Sequence, residues 1–106
     1  MNVDQLDVTT SRRRQGVSCV RVCGVLSPRT AGPIDAAVEG AIRGGSRHVQ
    51  LDLRAAVIRN VDDLICLFDL HRTARRGKST LTLTHVPRHV RELLARTYLP
   101  ELIDID

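Results

Sequence analysis

The stretch Leu51-Asp52-Leu53-Arg54-Ala55-Ala56-Val57-Ile58-Arg59-Asn60-Val61-Asp62-Asp63-Leu64 decides the architecture. Together with His48-Val49-Gln50 before it, its opening predicts a buried strand over 48–53, and an apolar connection through Ala55, Ala56 and Val57 follows. Asn60 is a good N-cap, because its side-chain oxygen can accept an amide of the first helical turn. Asp62 and Asp63 then fall where carboxylates meet the positive end of the helix dipole. Leu64, Leu67, Phe68 and His71 make one face of the predicted helix. Arg72, Arg75, Arg76 and Lys78 crowd its C-terminal end, and Gly77 breaks it.

Working outward toward the N-terminus, residues 17–23 are rich in β-branched side chains, close at Gly24, and predict another strand. Ser27-Pro28 and Thr30 carry helix-start chemistry. Ile34, Ala37, Val38, Ala41 and Ile42 recur at helical spacing until Gly44-Gly45, so a helix is predicted over 30–43. Strand, helix, strand makes a right-handed crossover with parallel strands. Residues 1–15 are polar, with a weak alternation in Val3, Leu6 and Val8. They form either a frayed tail or a short edge strand, and Arg12-Arg13-Arg14 reads as a solvated turn.

Toward the C-terminus, Thr80-Leu81-Thr82-Leu83-Thr84 alternates with period two, and a helix opening at Pro87 turns Val90, Leu93 and Leu94 inward. Pro100 is expected to end the helix after Tyr98-Leu99, with Leu102, Ile103 and Ile105 closing as a half-turn or strand. The expected fold is therefore α/β, a small mixed or mostly parallel sheet of about four strands flanked by helices. It divides into a polar N-terminal segment, 1–15, and one domain, 16–106.

At 106 residues the chain suits one core, since separate domains need about 50 residues each. Its composition, 42% apolar and 26% charged, is that of a folded globular protein. No apolar run approaches the roughly 20 residues of a bilayer span, and no secretory leader precedes the first strand. Cys19 and Cys23, four apart on one strand, stand roughly 13 Å from each other, too far to bond. A cytoplasmic location is expected.

The net charge of +4 comes with one phenylalanine and one tyrosine and no tryptophan, so the stacking platforms of single-strand and RNA binders are missing and direct nucleic-acid binding is not expected. His85 and His89 are four apart, but Pro87 between them prevents a shared helical face, so no metal site is expected. Gly44-Gly45 follows a helix, where a phosphate-binding loop must precede one. With no nucleophile elbow either, neither catalysis nor a cofactor is expected. His48 and His71 read as structural.

The chain resembles the STAS domain, the fold of bacterial anti-sigma factor antagonists. Val20-Arg21-Val22-Cys23-Gly24-Val25-Leu26 is similar to the family's opening strand and Gly-x-Leu turn, and Thr30-Ala31 to the start of its first helix. Leu51-Asp52-Leu53 resembles its Val-Asp-Leu strand, and Leu93-Leu94 followed by Leu99 its C-terminal helix. The family's regulatory segment is usually Asp-Ser-Ser/Thr-Gly-Leu, whose first serine a partner anti-sigma kinase phosphorylates. Asn60, Val61, Asp62, Asp63 and Leu64 match it here, so the acceptor position is Val61, which has no hydroxyl. The acidic residue common after the Gly-x-Leu turn is replaced by Ser27.

The resemblance implies a non-enzymatic regulator that binds an anti-sigma factor or other regulatory protein through Ser27, Thr30, Asn60, Val61, Asp62, Asp63 and Leu64, as a monomer or a homodimer, without inserting into membranes. Two states remain open. Val61 keeps the face permanently partner-competent, or Asp62 and Asp63 imitate a phosphate and reject the partner. Alternative readings are a STAS subunit of a lipid-transport ATPase complex and a small-ligand or nucleotide sensor using the same cleft.

Overall fold

A computed structural model of the chain describes residues 6–106. Five strands form one mixed sheet in the order β1-β2-β3-β4-β5: β1 (Leu6–Arg14), β2 (Val17–Val25), β3 (His48–Val57), β4 (Thr80–Thr84) and β5 (Asp104–Ile105). β1 runs antiparallel to β2, and the remaining neighbours are parallel. The helices are α1 (Gly32–Arg43), α2 (Ile65–Arg76), α3 (Arg88–Leu94) and α4 (Leu99–Leu102), with a 3-10 turn over Val61–Leu64 leading into α2. The expected α/β class and mixed sheet are present, with one strand more than expected.

Each parallel crossover steps to the next strand in the same direction, which lays the helices on one face. Val20 and Val22 of β2, Leu51 and Leu53 of β3 and Leu83 of β4 point into that face and are fully buried against Ile34 and Val38 of α1 and Leu67 and Leu70 of α2. Side chains of this size contribute about 2 kcal/mol each when fully buried. The opposite face is polar and carries Arg21, Gln50, Asp52 and Arg54 on neighbouring strands.

Several expectations need correction. Of the two readings for 1–15, the described part is a strand nine residues long, anchored by Leu6 and Val8 against the core; Val3 lies outside the described residues. Arg12, Arg13 and Arg14 belong to that strand and not to a turn. The turn is at Gln15-Gly16, where Gly16 takes φ 77°. β3 runs on through Ala55, Ala56 and Val57 because those residues keep pairing with Cys23, Gly24 and Val25.

In α2 the buried face is Cys66, Leu67, Leu70 and Ala74, while Phe68 and His71 are only partly covered. In α3, Leu93 is half-buried beside buried Val90 and Leu94. Pro100 stands in the first turn of α4, where its missing amide costs nothing, so it opens a helix and does not end one. Gly77 closes α2 with a negative φ of −85°, and Lys78 is the left-handed residue. Glycine is needed at 77 for another reason: a Cβ there would stand 2.5 Å from Cγ2 of Ile42 on α1.

Candidate docking site

Two turns meet at the C-terminal edge of the parallel strands, the location where open α/β sheets commonly bind. The first follows β2. The Thr30 hydroxyl donates to the Val25 carbonyl at 2.7 Å and accepts the Ser27 amide at 3.0 Å, so Thr30 clamps the turn. It does not cap α1, whose N-cap is Ala31. The Leu26 amide donates to the Val57 carbonyl at 2.9 Å, which fixes this turn beside the end of β3.

The second turn is the predicted helix start. Asn60 is extended, and its Oδ1 accepts the Asp63 amide at 3.2 Å. The cap therefore sits where expected, on the 3-10 turn and not directly on α2. The preceding residue pair is tied to α3, since the Ile58 amide donates to Nε2 of His89 at 3.3 Å. His85, in contrast, leaves β4 at φ 51° and receives a hydrogen bond from the Arg54 guanidinium. The two histidines thus serve separate contacts.

Asn60, Val61 and Asp62 are exposed, and Ser27, Thr30 and Asp63 are half-buried. Leu64 is 1% exposed and lies in the core, so it anchors the turn and offers a partner nothing. Sequence reasoning named Val61 but missed the other apolar side chains of the surface, Val57 and Ile65. Of the five large apolar side chains exposed among the described residues, Val57, Val61 and Ile65 fall within nine positions, four apart, around this turn. Exposed aliphatic residues rimmed by polar groups are the usual mark of a protein interface. Ile65 could have been noticed as an apolar residue off the inward-facing period of α2.

Acidic groups border the turn on the α1–α2 side. Burial raises the Asp35 carboxyl above its ordinary value, and the charges of Asp69 and Glu39 raise it further. Burial, helped by Asp63, Asp69 and Asp35, pushes the Cys66 thiol up to about 11. Cys66 is therefore a protonated packing residue at neutral pH.

A separate cavity of about 480 Å³ opens on the polar face of the sheet, lined in part by Arg13, Cys19, Gln50, Asp52 and His85. Asp52 is buried there. Its Oδ2 lies 3.4 Å from Nε of Arg21, and its Oδ1 accepts the Arg54 amide at 2.9 Å. None of the seven expected docking residues lines this cavity.

No family model and no curated protein matches the sequence. Solved structures do. An anti-sigma factor antagonist from Mycobacterium paratuberculosis superposes with a TM-score of 0.77 at 18% identity, over 96% of this chain and 86% of that one. The anti-sigma factor antagonist SpoIIAA in its unphosphorylated form gives 0.72 at 12% identity, over 94% and 88%. The murine Slc26a9 anion transporter gives 0.69 at 15% identity over 86% of this chain, which corresponds to 15% of the transporter. The chain has the STAS fold.

Proposed function

We propose that this chain, built on the STAS fold, is an anti-sigma factor antagonist whose docking face cannot be switched by phosphorylation at the helix mouth. It acts by protein contact, sequestering an anti-sigma factor so that a sigma factor goes free. The observation that carries this reading is Val61: it stands at the mouth of the 3-10 turn, 36% exposed, between exposed Val57 and Ile65 in sequence. A phosphoserine at that position would bring about −1.5 to −2 charges into the apolar patch. Valine contributes apolar surface instead. Between the two states, the constitutively competent one is favoured. Asp62 is exposed and carries a single charge where a phosphate carries nearly two, and the Asp63 amide is already occupied by Asn60.

The supporting fold neighbours include antagonists and a transporter, so fold alone does not choose between them. The exposed aliphatic triplet favours the protein-binding reading. The test mixes purified chain with a purified anti-sigma kinase, with and without Mg-ATP, and follows the complex by size exclusion. The complex is expected to form and to survive ATP, whereas the Val61→Ser chain is expected to become phosphorylated at residue 61 and be released. Failure to form a complex, or loss of the native complex on adding ATP, contradicts the reading.

A further inference from the structure

The 16 basic residues are unevenly placed: three stretches, 12–18, 43–48 and 75–80, hold eight of them and none of the chain's 12 acidic residues. Arg12, Arg13 and Arg14 end β1. Arg43 and Arg47 flank the turn from α1 to β3, and Arg75, Arg76 and Lys78 end α2 and lead to β4. All eight are exposed. Ion pairs join Arg21, Arg72 and Arg88 to carboxylates, but none of the eight has an ion pair among the described residues.

The fold brings these stretches to one edge. Arg14, Val17, His48 and Thr80 are successive partners across β1, β2, β3 and β4, so the strand ends stand level in a row. With strands about 4.8 Å apart, the row is about 14 Å long. The turns are tied together: the Arg47 amide donates to the Gly16 carbonyl at 2.8 Å, the Thr80 amide to the Arg47 carbonyl at 2.9 Å, and the Ser79 hydroxyl to the Ser46 carbonyl at 2.8 Å. The Arg12 guanidinium donates to the Gly44 carbonyl at 3.1 Å. Beside Arg47, Lys78 and Ser79 a cavity of about 350 Å³ opens. Two carboxylates border the edge without entering it, Glu39 beside Arg43 and Arg76, and Glu101 on α4.

Clustered like charges repel one another and attract an opposite charge from outside. The level row suits a flat anionic surface. Proteins that read a duplex present a helix or ribbon to a groove, whereas this edge offers strand ends and short turns. The apolar residues point the same way. Of the five large apolar side chains exposed among the described residues, the two outside the docking turn are Tyr98, 76% exposed, and Leu102, 52% exposed. They stand four apart at the two ends of α4, which leads into β5. Because β5 is parallel to β4, it is entered from the basic end of the sheet. Tyrosine and leucine beside arginine and lysine are what a protein lying on an anionic bilayer presents, and a phosphate backbone would leave them idle.

We propose that the edge formed by these three turns and α4 is a membrane-surface site, which adsorbs the chain to anionic phospholipid headgroups without crossing the bilayer. Arg47 and Lys78 hold headgroup phosphates at its centre, and Tyr98 and Leu102 settle at the interface. The docking turns lie at the opposite ends of the same strands, so an adsorbed chain presents them away from the lipid.

The test is co-sedimentation of the full chain with phosphatidylcholine vesicles carrying about 40% phosphatidylglycerol or none. The fold of each variant is checked by circular dichroism. The chain is expected to bind the charged vesicles at least about tenfold more tightly than the neutral ones and to be released by about 0.5 M salt. Arg47→Glu and Lys78→Glu, each alone, should weaken binding at least about fivefold. Arg88→Glu changes the net charge equally at the docking end and should change binding less than about twofold. Tyr98→Ala should weaken it about threefold. The proposal is overturned by equal binding to both vesicles, by equal losses for Lys78→Glu and Arg88→Glu, or by an unaffected Tyr98→Ala. Tighter binding to a DNA duplex of about 20 base pairs at equal phosphate concentration also overturns it, and would make the edge a nucleic-acid site.

Discussion

Asn60 and Asp63 close the docking turn on itself: Oδ1 of Asn60 accepts the Asp63 amide at 3.2 Å while Asn60 holds an extended backbone. One of the amides orphaned at a helix start is satisfied by this contact. Asn60→Ala should cost about 1 kcal/mol in urea denaturation, while Asn60→Asp, which keeps an acceptor at the cap, should cost much less. Equal losses for the two would show that the cap contributes nothing.

Asp52 is buried on the polar face of the sheet and has two partners, Arg21 and the Arg54 amide. Arg21→Ala leaves the carboxylate with the amide alone and should cost about 1 to 2 kcal/mol, since the guanidinium is half-exposed and partly screened. Asp52→Ala also strips the amide of its acceptor and should cost about 3 kcal/mol. The same denaturation series checks the order.

The three thiols are free, with Cys23 exposed and Cys19 and Cys66 buried. Alkylation of the native chain at pH 8 should therefore label Cys23 first. Cys66, raised to about 11 from an ordinary value of 9.0, should lag by orders of magnitude. Because its folded value is raised, the contribution of Cys66 to stability is complete below pH 9 and is lost as pH climbs toward 11. Cys66→Ala should flatten that alkaline limb in a plot of melting temperature against pH.

Asp35 is held above the ordinary carboxylate value by burial and by Asp69 and Glu39. Its ionisation therefore opposes folding: the group is neutral at no cost in acid, and stability declines as pH rises through its elevated value. Asp35→Asn should raise stability at pH 7 by up to about 0.5 kcal/mol and lose that advantage in acid. A destabilised variant at pH 7 contradicts the sign.

The long, periodic elements could be read from the residues: α1 from its helical repeat, β4 from Thr-Leu alternation, and the cap at Asn60. What escaped has physical reasons. β1 was read as either a tail or an edge strand and not decided, because Leu6 and Val8 are its only inward signals and an edge strand has little to bury. The end of β3 is Ala55-Ala56-Val57, whose pairing with β2 no local pattern reveals. Pro100 has the same residue signature at a helix start as just past a helix end. The capped turn before α2 was legible through Asn60 and its aspartates, but exposure was not: Leu64 and Ile65 are both apolar neighbours, and only packing decides that one is buried and the other half in solvent. The polar-face cavity was invisible because its residues come from strands far apart in the chain.

Val61 and Asp62 give the two possible states of the docking face, and calorimetric titration of an anti-sigma factor into the native and Asp62→Asn chains separates them. The native chain is expected to bind, with removal of the Asp62 charge changing Kd by less than about threefold, as an exposed single charge would. A native chain that does not bind until Asp62 is neutralised would mean that the carboxylate imitates a phosphate, and the account of a permanently competent face would be wrong.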